Sequence, residues 1–450
     1  MQQSAAQPPT SMTGPSEALR LLPGVELLGR VEGSGLREAP YYLRRADREV
    51  VQVSRLLFVV AAHAVPGQSL EEIARRAGAE LELNISPDQV RYVLEQKLYP
   101  LGVVAGSDGS APILARLDPL LALKFRIGVM GPKTVEAIAS PLAALFCTPV
   151  VVGALGCLLA FDAWLVGIHG IGRGLSHVIA QPTLILMLVG LTYASLAFHE
   201  CGHAAACRRG GARPGAIGVG LYLVWPVMYT DVTDSYRLGR RGRLRTDLGG
   251  VYFNGVFALA LAVAYLLSGF EPLLLAVVGQ HLIVFDQFMP WVRLDGYYVV
   301  ADLIGVSDLF SRIKPVLRSL LPARPVDARV AELRPWARAA VTTWVLTTVS
   351  MLTAMAVIVI VHAPAYLTRV WQSLFLQTHA LEHAVADGDV AGTAAGALGD
   401  LFLVLPATGM ALIYVLLCRR LGVGLAIRRA GAGRADLARA VAARASGVTR

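Results

Sequence analysis

The stretch LTYASLAFHECGHAAACRRG, residues 191–210, closes an apolar run that starts near residue 182 and ends on two arginines. At 1.5 Å of rise per residue, residues 182–206 are enough for a helix to cross the roughly 30 Å of hydrocarbon in a bilayer. His199, Glu200 and His203 stand in its last turns. An ionisable group deep in a bilayer costs about 2.5–3.5 kcal/mol on insertion scales, so three together point to chemistry. Residues four apart on a helix share a face, so both imidazoles can be turned on one ion. Zinc held this way keeps an open position for water, and Glu200 is placed to take a proton as water attacks a carbonyl. The competing reading is a chance pattern on a packed helix, against which the desolvation cost argues.

A catalytic zinc needs a third protein ligand. Asp295, in FMPWVRLDGYYVVADLIG (288–305), is the candidate, because it follows a later apolar segment at the membrane face expected for His203. Read alone, it serves equally well as the cap of a helix starting at Gly296.

The whole composition agrees with a membrane setting. Of 450 residues, 55% are hydrophobic and 16% charged, and the mean hydropathy is +0.55, beyond the roughly 45–50% apolar content of soluble domains. Six segments approach the length of a span, near 139–168, 182–206, 247–269, 272–290, 339–363 and 398–418. The expected fold is mainly α: a polytopic bundle of about six transmembrane helices over 139–418, preceded by a small α+β domain. Residues 216–230, AIGVGLYLVWPVMYT, are apolar but short and broken by Gly and Pro, and read as a re-entrant or interfacial hairpin. Arginines cluster after the second span (Arg208, Arg209, Arg213, Arg237, Arg240, Arg241, Arg243, Arg245) and basic residues again after the fourth. Retention of basic loops places both clusters and both termini in the cytoplasm, and leaves 364–397 as an external loop. The net charge of +9 follows from that rule and from attraction to anionic lipid, so no nucleic-acid partner is expected.

Residues 1–20 read as a disordered tail with no apolar core for a secretory signal. Residues 21–115 carry ordinary soluble punctuation. Ser69 with Glu72 and Ser86 with Gln89 form capping boxes, the first helix closing at Gly78; two short strands lie in APYYLRRADREVVQVS and a buried helix in SRLLFVVAAHA. A winged-helix-like domain results, joined by a linker at 116–138; 419–450 form a basic tail. Five scattered cysteines argue against structural disulfides.

HECGH at the end of a span, an Asn-bearing third span (GGVYFNGVF) and LDGYY after a fourth resemble the site-2 protease family of intramembrane zinc metalloproteases. YTDVTDSYRL (229–238) and PWVRLDGYYVVADLIG (290–305) are similar to segments of its bacterial peptide zinc metalloprotease branch, and the likeness covers about 180–310. It implies one Zn2+ held by His199, His203 and Asp295, Glu200 as general base, and Asn254 helping to position substrate or stabilise an oxyanion. Two positions depart from the family pattern: Val251 stands where Pro is usual, and Gln287 where Asn usually opens Asn-x-x-Pro.

Other polar residues carry weaker signals. His379, Glu382 and His383 match an inverted zinc-protease motif, but in a segment expected outside and without a companion glutamate. His281 and Asp286 read as hydrogen-bonding residues within the fourth span, and Asp231 and Asp234 as turn caps. Residues 21–115 resemble the small peptide-binding domains related to the pyrroloquinoline quinone peptide chaperone. Strand addition along Tyr41–Leu43, with Val90, Val93, Leu94 and Lys97 on the adjoining helix, would let them hold a leader peptide. The expected function is zinc-dependent cleavage of a peptide precursor or membrane-anchored protein in a bacterial cytoplasmic membrane. The alternative is a catalytically silent zinc-binding component of a peptide export or immunity system.

Overall fold

Ser, Gly and Pro punctuation fixes the short elements at the N-terminal end, and apolar length fixes the rest. The computed structural model describes residues 20–422, apart from 32, 48, 107–109, 111, 113–122, 182–183, 223–224, 323–324 and 421. The terminal tails, residues 1–19 and 423–450, and the first part of the expected linker lie outside the described residues.

Three antiparallel strands, β1 (Glu26–Arg30), β2 (Tyr41–Arg44) and β3 (Val50–Val53), pack on α1 (Arg55–His63), α2 (Leu70–Leu81) and α3 (Pro87–Val93), which runs on through a wider turn to Leu98. Leu43, Val60, Val90, Leu94 and Leu98 are fully buried among them. The Ser86 capping box is complete, with each partner holding the other's backbone N–H. Ser69 caps α2, but Glu72 turns its carboxylate to Arg75 and Arg76 instead of back to the cap. The helix also runs past Gly78 and ends on Glu82 in the left-handed region (φ 56°). Gly78 is needed for another reason: a Cβ there would stand 2.7 Å from the Leu83 carbonyl where the chain folds back. β2 is the central strand, paired on both sides. Tyr41–Leu43 therefore offer no open edge to a peptide, and among the described residues the outer edges of this sheet belong to β1 and β3.

The loop between β1 and β2 reaches into the later half of the chain. Gly35 donates to Gly305 O (3.1 Å), Arg334 donates to Gly35 O (2.8 Å) and Arg37 to Glu332 O (2.8 Å), while Leu36 is buried with Tyr297, Ile304 and Val306. Farther along, Arg44 pairs with Asp234 at 3.0 Å, and the rings of Tyr42 and Tyr236 meet edge to face at 5.3 Å.

Where a linker was expected, the chain forms β4 (Leu123–Met130) and α4 (Pro132–Leu142). The first long apolar helix, α5 (Thr148–Trp164, with a further turn to His169), begins only after a break at Cys147. α6 (Gly172–Ala180) leads to α7 (Leu184–Arg209). Residues 216–230 fold as a β-hairpin, β5 (Ile217–Tyr222) and β6 (Trp225–Thr230), against β4. Then come α8 (Arg240–Asp247), α9 (Gly249–Ser268), α10 (Pro272–Gln287), α11 (Asp295–Ile304), α12 (Ile313–Ser319), α13 (Ala328–Ala331), α14 (Pro335–Ala386) and α15 (Val390–Arg420).

Among the described residues, five helices are long and apolar enough to cross a membrane: Thr148–His169, Leu184–Arg209, Gly249–Ser268, Pro335–His383 and Gly392–Arg419. The segment near 272–290 gives a 16-residue helix, α10, which spans only about 24 Å at 1.5 Å per residue. Most of 364–397, expected as a loop, is helical. α14 has 52 residues and continues as helix to Ala386, because Pro364 sits inside an otherwise helix-favouring run. All five cysteines are free.

Candidate metal centre

Glycine lets two of these helices meet closely enough to build a site. Where α7 crosses α9, a Cβ on Gly202 would strike the Gly249 carbonyl and one on Gly249 would stand 2.6 Å from the Gly202 carbonyl. Next to this crossing, His199 (3% exposed) and His203 (9%) turn their rings toward α9. Their Nε2 atoms lie 3.1 Å apart. Asp295 Oδ2 completes the triangle, 3.3 Å from His199 Nε2 and 3.4 Å from His203 Nε2.

Asp295 reaches that point because the chain turns sharply after α10. Trp344 on α14 donates to the Pro290 carbonyl at 2.9 Å and pins the turn. Gly296 admits the Phe288 backbone against it, where any Cβ would collide. The capping role that the sequence left open for Asp295 is not the one it takes. α11 starts at Asp295 itself, its cap residue is Leu294, and no side chain caps it.

Proton bookkeeping settles what the three atoms can do. His203 Nδ1 faces the Thr246 carbonyl at 2.8 Å, and a carbonyl only accepts, so Nδ1 carries the hydrogen. His199 Nδ1 faces Asn254 Oδ1 at 2.5 Å. The Asn254 amide nitrogen is committed to Ser195 Oγ (2.9 Å) and Gln280 Oε1 (3.1 Å), so its oxygen accepts from His199. In the neutral rings both Nε2 atoms are then bare lone pairs, pointed at each other and at a carboxylate oxygen that has no hydrogen-bond partner. Three acceptors converging without a donor call for a cation. The separations also fit: ligand atoms 2.0–2.1 Å from a tetrahedral zinc are about 3.3 Å apart. Gly250 leaves the space free, since a Cβ there would lie 2.5 Å from His203 Nε2 and as close to His199. Among the described residues, His199, His203 and Asp295 are the group of three that could hold a metal ion.

Glu200, 8% exposed, lies one residue round the helix. The Thr230 hydroxyl at the end of β6 stands 2.7 Å from its Oε2 and 2.9 Å from its carbonyl. The β5–β6 hairpin thus supplies the group that orients Glu200. Asn254 is fully buried, with its amide engaged by His199, Ser195 and Gln280.

A second layer of charge backs the triad. Arg243 (4% exposed) pairs with Asp302 at 3.0 Å. Asp247, beside the Thr246 carbonyl that holds His203, has a carboxyl pushed up to about 8, first by burial and then by Asp302; Asp302 is raised by burial as well. The remaining polar candidates lie elsewhere. His281 bonds Asp162 at 3.0 Å and the Val277 carbonyl at 2.9 Å, a hydrogen-bonding role as read. Asp231 accepts from Thr233 N in a turn, while Asp234 accepts from Arg213 N and anchors Arg44 and Arg237. His379 and His383 belong to the last turns of α14. Thr230, Thr246 and Gln280 carry no separate signal in the sequence; the Gly249-Gly250 pair is visible there but has no meaning until the helices cross.

No protein-family model, curated protein or solved structure matches the chain.

Proposed function

We propose that the protein is an intramembrane zinc metalloprotease of the site-2 protease kind, acting on a peptide precursor or a membrane-anchored protein. One observation carries the reading: two imidazole Nε2 lone pairs and an unpartnered Asp295 oxygen converge beside Glu200 on an apolar helix. Zinc bound there would supply Lewis acidity and acidify water. Asn254 and Thr246 hold the two rings in the metal-binding tautomer, as groups behind metal ligands commonly do. Thr230 steadies Glu200, which accepts the proton from attacking water and returns it to the leaving amine. A substrate segment must be locally extended to place a carbonyl in so enclosed a site.

In this reading α10 serves as the short sixth span, and the bundle sits in a bacterial cytoplasmic membrane with both termini cytoplasmic. The N-terminal unit is a winged-helix-like domain that binds the substrate's leader. Its cavity of about 500 Å³, bounded by Leu56, Val60, Tyr92 and Lys97, suits apolar side chains of an extended peptide lying along β3 rather than β2. The test is elemental analysis of purified protein together with cleavage of a candidate precursor. About one zinc per chain and cleavage lost in Glu200→Gln support the reading; zinc without any Glu200-dependent cleavage would favour the silent binding component.

A further inference from the structure

A second cavity, of about 700 Å³, opens between α5, α9 and α10. Its walls are apolar, and Val152 and Leu155 on its rim are 65% and 43% exposed, as expected of a surface that meets lipid. One end is closed differently. Arg241, Leu244, Arg245 and Leu248 line it, and their spacing of three, four and seven puts all four on one face of α8 and its cap. Neither arginine forms a salt bridge among the described residues, and Arg245 Nε is buried with no hydrogen-bond partner. Neither the metal ligands nor Glu200 line the cavity; Asn254 and Gln280 form part of its wall instead. The cavity therefore offers its occupant a wall of apolar side chains and two arginines without direct contact with the metal ligands.

We propose that this groove binds one anionic phospholipid, with an acyl chain between α5 and α9 and the phosphate on Arg241 and Arg245. A neutral chain would leave two guanidinium groups at the groove end without a counter-ion, whereas a phosphate accepts charge-assisted hydrogen bonds from both. α8 also carries the basic cluster expected on the cytoplasmic face, where anionic lipid concentrates. The inference stands apart from the protease reading, since it needs no chemistry at the metal.

The full chain is reconstituted in vesicles of equal parts phosphatidylglycerol and phosphatidylcholine, re-extracted in mild detergent, and its retained lipid measured by native mass spectrometry. Phosphatidylglycerol should be retained in preference. The double variant Arg241→Gln/Arg245→Gln should lower that retention roughly tenfold, while Arg318→Gln, which removes an exposed charge elsewhere, leaves it unchanged. Ala258→Phe, which narrows the groove without touching charge, should also lower it. Equal retention of the two lipids, or a double variant indistinguishable from Arg318→Gln, overturns the proposal. So does a photo-crosslinker at Val152 that captures residues 423–450 or another polypeptide in place of lipid. Arg241→Lys/Arg245→Lys guards against misfolding: if the lysine pair retains phosphatidylglycerol no better than the glutamine pair, the charge argument fails.

Discussion

Asn254 Oδ1 meets His199 Nδ1 at 2.5 Å across the α7–α9 crossing, so α9 fixes which nitrogen of the α7 histidine is free to bind metal. Replacing Asn254 with Leu removes the acceptor and frees the ring to rotate or change tautomer. Zinc affinity, read by competition with a chelator, should fall by about 10–100-fold, the range usual for lost partners of metal ligands. Unchanged affinity would return Asn254 to a substrate-facing role.

Gly250 provides a sharper probe. A methyl group at this position would occupy the space between the two Nε2 atoms, so Gly250→Ala should abolish zinc binding although no ligand is altered. Circular dichroism should show its helices intact. Full zinc occupancy in this variant would mean that the metal binds elsewhere.

The ligands and the base should separate cleanly. His199→Ala, His203→Ala and Asp295→Ala each remove a donor and should each deplete zinc, while His379→Ala should not. Glu200→Gln keeps the donors and should keep zinc, with cleavage lowered by about 10²–10⁴-fold. Thr230→Val, which removes the hydroxyl at 2.7 Å from Glu200 Oε2, should lower cleavage less and leave zinc in place.

Asp247 makes stability depend on pH. Its folded-state carboxyl is pushed up to about 8 from an ordinary 3.8, so the native protein holds a proton that the unfolded chain has already released. Stability should therefore fall as pH rises through that window and level off above it. Thermal unfolding in detergent should show the decline, and Asp247→Asn should flatten it. A decline of equal slope in the variant would assign it to other groups.

Docking of the N-terminal unit should matter for stability as well as substrate capture. Leu36 is 6% exposed within a core shared with Tyr297 and Ile304, and replacing it with Ala should cost about 2–5 kcal/mol, as for other large-to-small core changes. Deleting residues 21–115 should weaken cleavage of a leader-bearing substrate more than of a leaderless one, with zinc retained. Equal loss for both would reduce the unit to a folding support.

Much of this was legible in the chain itself. Local chemistry determined the membrane-length apolar helices, the Ser86 capping box and the common face of His199 and His203, because each depends on residues within a turn or two of one another. Helix punctuation failed at Gly78, where the contact with Leu83 outweighed the local signal, and the loop expected from residue 364 is helix to Ala386. The hairpin at 216–230 was legible as a hairpin, but its place in a three-stranded sheet was not, since its partner β4 lies nearly a hundred residues away.

Tertiary structure alone decided the rest. Asp295 reads as a helix cap or a ligand with equal justice until the turn held by Trp344 and Gly296 brings its oxygen within 3.4 Å of both imidazoles. The tautomers of His199 and His203 depend on Asn254 and Thr246, 55 and 43 residues away, and the room for an ion depends on Gly250. Sequence spacing fixes which side chains share a helix face, whereas where their lone pairs converge is set by how closely two helices approach, and that distance is a property of the packed chain.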